Sequence, residues 1–237
     1  MAVAVCMACG SETPARRPAP RPKVIAAPIA EPAPPPAPPP RSSVTIKGLT
    51  GTLNKDEVHQ TMDAQQPVFD GCIAESRRSV RWVSGSIRFA FKVDAEGKVA
   101  DAHPIESTIG HRALEQCLGD AVAATVFPKP AGRAIATFDW GMTVEPVPGR
   151  PPDPLDEKIL ARVLKKQRRE VVRTCELRRR ERFLVTAYIA RTGRILSAGA
   201  VPMPPNASEK LDCVLGEISA WRMPKIDHRS KTSFLLR

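Results

Sequence analysis

Along residues 86–99, and again along 183–195, apolar and polar side chains alternate, and the spacing then lengthens to that of a helix. Ile87, Phe89, Phe91 and Val93 interleave with Ser86, Arg88, Ala90 and Lys92, the period-two pattern of a half-buried strand. Phe183, Val185, Ala187 and Ile189 repeat it. Asp94–Lys98 and Arg191–Arg194 read as hairpin turns, with Gly97 and Gly193 where the turn needs positive φ. Leu114, Cys117, Leu118, Ala121, Val122 and Thr125 recur at helical spacing, as do Leu211, Val214, Leu215, Ile218 and Trp221. Pro128 and Pro224 are expected to end those helices. A last strand follows, with Ala134, Ala136, Phe138, Trp140 and Met142 on one face in the first case and Thr232, Phe234 and Leu236 in the second. A helix also precedes each hairpin, clearest in Ile159, Leu160, Val163, Leu164, Val171, Val172 and Cys175. In the first copy Pro67 predicts a break in it. The order is helix, strand, strand, helix, strand, twice.

The two copies are related by fixed spacings. Gly97, Cys117, Pro128 and Phe138 recur 96 residues later as Gly193, Cys213, Pro224 and Phe234. Upstream, Val68–Cys72 matches Val171–Cys175 at an offset of 103, so the first copy carries seven extra residues around Arg77–Gly85. One coincident pair is chance; four landmarks at one offset are an internal repeat.

This order and these residues resemble the TonB C-terminal fold, and more closely the tail domain named after the gliding-motility proteins AgmX and PglI. That family shows a cysteine after a proline, a hairpin with glycine at its turn, a cysteine in the next helix, and an aromatic–proline exit. Here these are Pro67 to Cys72, Ile87–Val99 with Gly97, Cys117, and Thr125-Val126-Phe127-Pro128-Lys129-Pro130. The family's exit tryptophan is Thr125 in the first copy and Trp221 in the second. The resemblance covers residues 50–143 well and 156–237 in degenerate form. It implies an α+β protein of two tandem TonB C-terminal-like domains after a disordered Pro-rich tether. It also implies recruitment of a partner strand to an exposed sheet edge, where main-chain hydrogen bonds supply affinity.

Cysteine usage fits one pair per copy. Cys72 with Cys117 closes a loop of 45 residues and Cys175 with Cys213 one of 38. Each such bridge stabilises by ~4 kcal/mol in the chain-entropy model, and together they imply an oxidising compartment. The alternative is four buried free thiols in a cytosolic protein. Zinc is not indicated, because no CxxC lies within the repeats and His59, His103, His111 and His228 lack ligand spacing.

Composition divides the chain of 237 residues further. Twelve of its 25 prolines fall between Pro14 and Pro40 and five between Pro146 and Pro154. Prolines at that density interrupt both helix and ladder. The expected segments are an anchor-like 1–13, a Pro-rich tether 14–45, a first repeat 46–145, a linker 146–154 and a second repeat 155–237. Ala8-Cys9-Gly10-Ser11 resembles the end of a bacterial lipoprotein signal, with Cys9 the lipidated residue. No positive segment precedes it, and eight residues are short for its apolar region. A start upstream of Met1 accounts for both. The alternative is a Cys6–Cys9 CxxC pair for redox or metal work. No run of ~18 apolar residues is present to form a membrane-spanning helix.

Net charge is +11, unevenly placed. Residues 151–237 hold nineteen Lys/Arg against ten acids, and about half of those bases sit between Lys158 and Arg182. Such a stripe meets acidic partners, phosphates or membrane surfaces, or is simply the solvated face of an amphipathic helix. Aromatics are only 5%, so side chains on which nucleic-acid bases stack are scarce. No GxGxxG, Walker loop, HExxH or GxSxG occurs, and no cofactor or catalytic residue is indicated.

Three function classes follow. The first is a non-enzymatic, membrane-tethered periplasmic interaction protein, an outer-membrane lipoprotein whose protein partner lies in the cell envelope. The second is a basic nucleic-acid or anionic-polymer binder, and the third an enzyme of unknown type. Under the first, the strand Lys231–Arg237 is expected at a sheet edge, with Lys231, Ser233 and Leu235 meeting a partner strand and Lys231 and Arg237 guarding the edge by charge. The strand Arg133–Met142 is expected to pair internally or with the second copy. Removing residues 235–237 is expected to spare the fold. The alternative is that Phe234 and Leu236 only complete the core.

Overall fold

The computed structural model describes residues 45–48, 53–132, 135–149 and 151–237. Cys6, Cys9, Ala134 and the expected tether up to residue 44 lie outside the described residues.

The first repeat runs β1 (Thr45–Gly48), α1 (Lys55–Ala64), α2 (Gln66–Ser79), β2 (Gly85–Val93), β3 (Val99–Ser107), α3 (Arg112–Ala123) and β4 (Ala136–Val144). Asn54 starts α1 by accepting a hydrogen bond from the Asp56 N–H at 2.9 Å. The predicted break falls at Gln65, so that Pro67 sits in the first turn of α2, where its missing N–H costs nothing. The second repeat runs β5 (Asp153–Pro154), α4 (Glu157–Thr174), β6 (Arg182–Ile189), β7 (Ile195–Met203), a 3-10 turn (Pro205–Lys210), α5 (Leu211–Ala220) and β8 (Ser230–Leu236). Asp156 caps α4 by accepting from the N–H groups of Lys158 and Ile159.

The chain is therefore α+β, with two four-stranded sheets ordered β1-β4-β2-β3 and β5-β8-β6-β7. The expected order of helix, strand, strand, helix, strand is present in both repeats. Each is preceded by a short edge strand that periodicity did not reveal. β1 joins β4 antiparallel, and β5 joins β8 parallel through only two residues. A strand of two to four residues is too short to show alternation.

Both hairpin turns are clasped in the same way. Gly97 and Gly193 have φ of 88° and 81°. Their carbonyls accept hydrogen bonds from the N–H groups of Phe127 and Met223, at 2.8 and 2.9 Å. A Cβ at either glycine would lie 2.1 Å from the Phe127 carbonyl oxygen or 2.0 Å from that of Met223. Backbone conformation and close approach thus both demand glycine. This clasp also corrects the expected helix ends. α3 and α5 stop at Ala123 and Ala220, short of Pro128 and Pro224. The prolines follow the strand-like exit that binds the turn.

Two cores form, one per repeat. Ile87, Phe89, Phe91 and Val93 face the first, with Phe138 and Trp140 from β4, and Phe91 stacks on Phe138 with centroids 4.8 Å apart. Phe183, Val185, Ala187 and Ile189 face the second, with Phe234 and Leu236. Over each core a disulfide joins the two flanking helical segments. Cys72 is bonded to Cys117 and Cys175 to Cys213, with Cα–Cα distances of 5.8 and 5.7 Å. Such bonds persist where folding takes place in an oxidising, non-cytoplasmic environment. Among the described residues no helix is long and apolar enough to cross a membrane.

Non-reducing peptide mapping should recover Cys72–Cys117 and Cys175–Cys213, with no linkage between repeats. The Cys175→Ala/Cys213→Ala double variant should lose ~4 kcal/mol in denaturant unfolding, the entropy released when a loop of this length is opened.

Candidate interaction edge and the interface behind it

In the first repeat the non-core face of β2 is wet, with Ser86, Arg88 and Lys92 exposed. The equivalent face of β6 is not. Thr186 and Tyr188 are fully buried there, and Tyr188 belongs to the core of the first repeat. What covers them is the segment between α2 and β2, where the first repeat has its seven extra residues, together with the start of α3.

That contact contains several paired polar groups. The Tyr188 hydroxyl accepts from the Ser84 N–H at 3.0 Å and donates to the Ser84 carbonyl at 3.1 Å. The Lys231 ammonium donates to the same carbonyl at 2.7 Å and lies 5.3 Å from the centre of the Tyr188 ring. Arg229 stacks its guanidinium 4.3 Å from the centre of the Trp82 ring. The Ser197 hydroxyl donates to the Gly110 carbonyl at 3.0 Å. Arg112 reaches Asp212 across the repeats at 3.3 Å.

Glu115 is the charged group most deeply enclosed in this interface. It lies on α3 among residues expected to be apolar. Its carboxylate accepts from the Ser107 hydroxyl at 2.6 Å and from the Gly110 N–H at 3.3 Å. A Cβ at Gly199 on β7 would stand 2.3 Å from the Glu115 Oε2. Glycine there leaves the cleft into which the carboxylate fits. Burial pushes the Glu115 carboxyl above its ordinary value of 4.5, against the Ser107 and Gly110 hydrogen bonds. Burial likewise lowers Lys231 to about 8 and raises the Tyr188 phenol. His111 caps α3 by accepting from the Leu114 N–H at 3.2 Å, and burial lowers its imidazole.

With this face covered, the second sheet keeps its two edges, β7 on one side and, beyond the short β5, the outer edge of β8 on the other. The Arg229 carbonyl accepts from the Asp153 N–H at 3.0 Å across that edge. Backbone groups alternate sides along a strand, so Lys231, Ser233 and Leu235 turn their N–H and C=O groups outward. Residues Ser230, Phe234 and Leu236 turn theirs toward Ile189, Val185 and Phe183 on β6. β5 takes only the Ser230–Lys231 end. Among the described residues nothing pairs with the edge at Ser233 and Leu235.

The three expected partner-strand residues therefore differ in role. Ser233 and Leu235 have exposed side chains and an open edge, although the Ser233 hydroxyl also pairs with that of Thr186 at 2.8 Å. Lys231 has its outward backbone beside Pro154 and its ammonium drawn to Ser84. It therefore braces the interface and does not guard the edge by charge. Leu236 is fully buried, so removing residues 235–237 would open the core as well as the edge. That overturns the expected tolerance of the truncation. β4 meets β1 and β2, so its expected internal pairing is present. The signal for the interface lay in the seven-residue surplus and in Tyr188 on a nominally wet face. Sequence periodicity alone did not connect them.

Among the described residues no cluster of His, Cys, Asp and Glu is placed to hold a metal ion. Comparison with family models, with curated proteins and with solved structures finds no match to this chain.

Two outcomes test the interface. Gly199→Ala should destabilise by ~1–3 kcal/mol, because the added methyl displaces a packed carboxylate. Equilibrium unfolding measures it, and an unchanged midpoint would show that the repeats do not close on Glu115. The second is a pH dependence. Because the folded chain holds the Glu115 proton more tightly than the unfolded chain, this group's contribution is complete below 4.5 and declines as pH rises through its raised folded value. Stability of the native chain relative to Glu115→Gln should therefore fall as pH is raised from about 4.5. A flat difference would mean that Glu115 titrates as an exposed carboxyl.

Proposed function

We propose that this chain is a non-enzymatic cell-envelope protein that captures a protein partner by adding its strand to the outer edge of β8. The observation that carries the reading is that edge. Among the described residues, the backbone groups that Ser233 and Leu235 turn outward have no partner strand, and they stand on a strand that Phe234 and Leu236 fasten to the core. Extended peptides bind such edges through main-chain hydrogen bonds, with alternate side chains supplying selectivity.

The resemblance to TonB-like AgmX/PglI tail domains, here in two tandem copies, supports the same reading. Ala8-Cys9-Gly10 followed by the proline-rich stretch supports lipid anchoring at Cys9 on the periplasmic side, as an outer-membrane lipoprotein. The disulfides accord with a periplasmic location. Cys9→Ser should move the protein from the membrane to the soluble fraction; unchanged fractionation would leave the chain without this anchor.

The edge is tested by proline. At position 235 a proline removes an outward N–H and no ladder bond to β6, a place where edge strands tolerate it. Leu235→Pro should shift stability by no more than ~1 kcal/mol. A photo-crosslinking residue at position 233 should yield a discrete adduct in intact cells, and Leu235→Pro should abolish it. An adduct that survives the proline would rule out edge pairing.

A further inference from the structure

The end of β8 opens onto a groove of about 810 Å³ between α4, the turn after it and the first residue of β6. Eight of the eleven residues lining it are lysine or arginine, and none is acidic. Leu164, Val172 and Leu177, each half-buried, form its floor. The rim includes Arg168, Arg169, Arg178, Arg179, Arg182 and Arg237, all exposed. Arg173 already holds Glu170 at 2.5 Å. The remaining cations repel one another in a concave space, so a bound anion would relieve their repulsion.

We infer that this groove takes an acidic segment of a protein partner, bearing aliphatic side chains, that continues from the strand paired with β8. This rests on the edge reading above. Three observations select that occupant. Arg237 directly follows β8 and lines the groove, so a strand laid along Ser233 and Leu235 leads into it. The floor is aliphatic, which suits leucine or valine side chains between carboxylates. No aromatic residue lines it, so nucleic-acid bases would find no stacking surface. Arginine suits the task because its planar guanidinium grips carboxylates with two parallel hydrogen bonds.

The test is fluorescence anisotropy of labelled synthetic peptides against the whole chain. One probe joins six alternating threonine and valine residues to six alternating glutamate and leucine residues, made in both orders. A second replaces glutamate by glutamine, and a third is the glutamate–leucine half alone. The acidic joined probe should bind at least about tenfold more tightly than its glutamine counterpart at low salt, the advantage shrinking as salt rises. Arg169→Glu/Arg179→Glu/Arg182→Glu should erase that difference with an unchanged thermal melt. Leu235→Pro should weaken both joined probes by the same factor. Equal binding of the two joined probes, both still weakened by Leu235→Pro, would overturn the groove assignment and leave edge pairing standing. Tight binding of the glutamate–leucine half, indifferent to Leu235→Pro, would keep an acidic-peptide groove and overturn edge pairing. Displacement of the acidic probe by a single-stranded oligonucleotide or by phosphatidylglycerol vesicles at lower charge concentration would assign the groove to phosphate and overturn the inference.

Discussion

A sheet with helices on one side has a second side to account for, and in the second repeat that side is closed by a tyrosine hydroxyl facing a single backbone residue. Burying a tyrosine ring gains ~2–3 kcal/mol from its apolar area. An unsatisfied buried hydroxyl costs ~1–3 kcal/mol. The two terms nearly cancel, so the hydrogen bonds decide whether the contact forms. Ser84 supplies both, donating from its N–H and accepting at its carbonyl. It occupies the stretch that the first repeat has and the second lacks. The surplus residues are thus the device by which two copies of one pattern dock asymmetrically. The first repeat gives a loop and a helix start; the second gives a sheet face.

From that asymmetry follows which backbone is left open. β3 and β7 are the edge strands on one side of the two sheets and lie close to each other. They carry Pro104 and Pro202, residues that lack an N–H to offer a stranger. β4 is flanked by β1 for half its length. Among the described residues, the outer side of β8 meets only the two residues of β5. Natural edges are commonly blunted by charge, proline or brevity. At β8 the middle of the strand has none of these, since Ser233 and Leu235 are its exposed residues and the nearest lysine is turned away. The charge lies beyond the strand's end, where Arg237 and Arg182 begin the cationic groove.

Much of this was legible in the sequence because it obeys period. Alternation in 86–93 and 183–189, helical spacing in 114–122 and 211–218, and the offset of 96 all report one-sided burial, which repeats with the geometry of the element. The cysteine pairs were legible because they recur at matched places in both copies. What escaped detection does not repeat. Glu115 interrupts an apolar helical face with a carboxylate whose partners, Ser107 and Gly110, are arranged by a turn. Thr186 and Tyr188 are buried by a neighbour that the local pattern cannot sense. β1 and β5 are too short for any period, and the role of Lys231 depends on Ser84, nearly 150 positions away. Pro128 and Pro224 misled for a related reason, since a tertiary hydrogen bond to the hairpin glycine stops each helix before the proline does.

The same constraints bear on what binding at β8 would cost. Strand addition is weak when the receiving edge must first be ordered, because that entropy is subtracted from affinity. Here β8 is held from three directions. Phe234 and Leu236 are fixed in the core, Trp221 stacks on Phe234 at 5.6 Å, and Lys231 ties the strand's start to the first repeat. The disulfide between Cys175 and Cys213 holds the helices that cover that core. A strand added there would meet an edge whose donors and acceptors are already in register, and only its own chain would have to become ordered. The interface between the repeats contributes indirectly. It buries the far face of β6, so the strand that supports β8 is packed on both sides. An edge supported in this way would offer its hydrogen bonds without moving, and under the proposed reading selectivity would fall to the side chains at its exit, where the arginines stand.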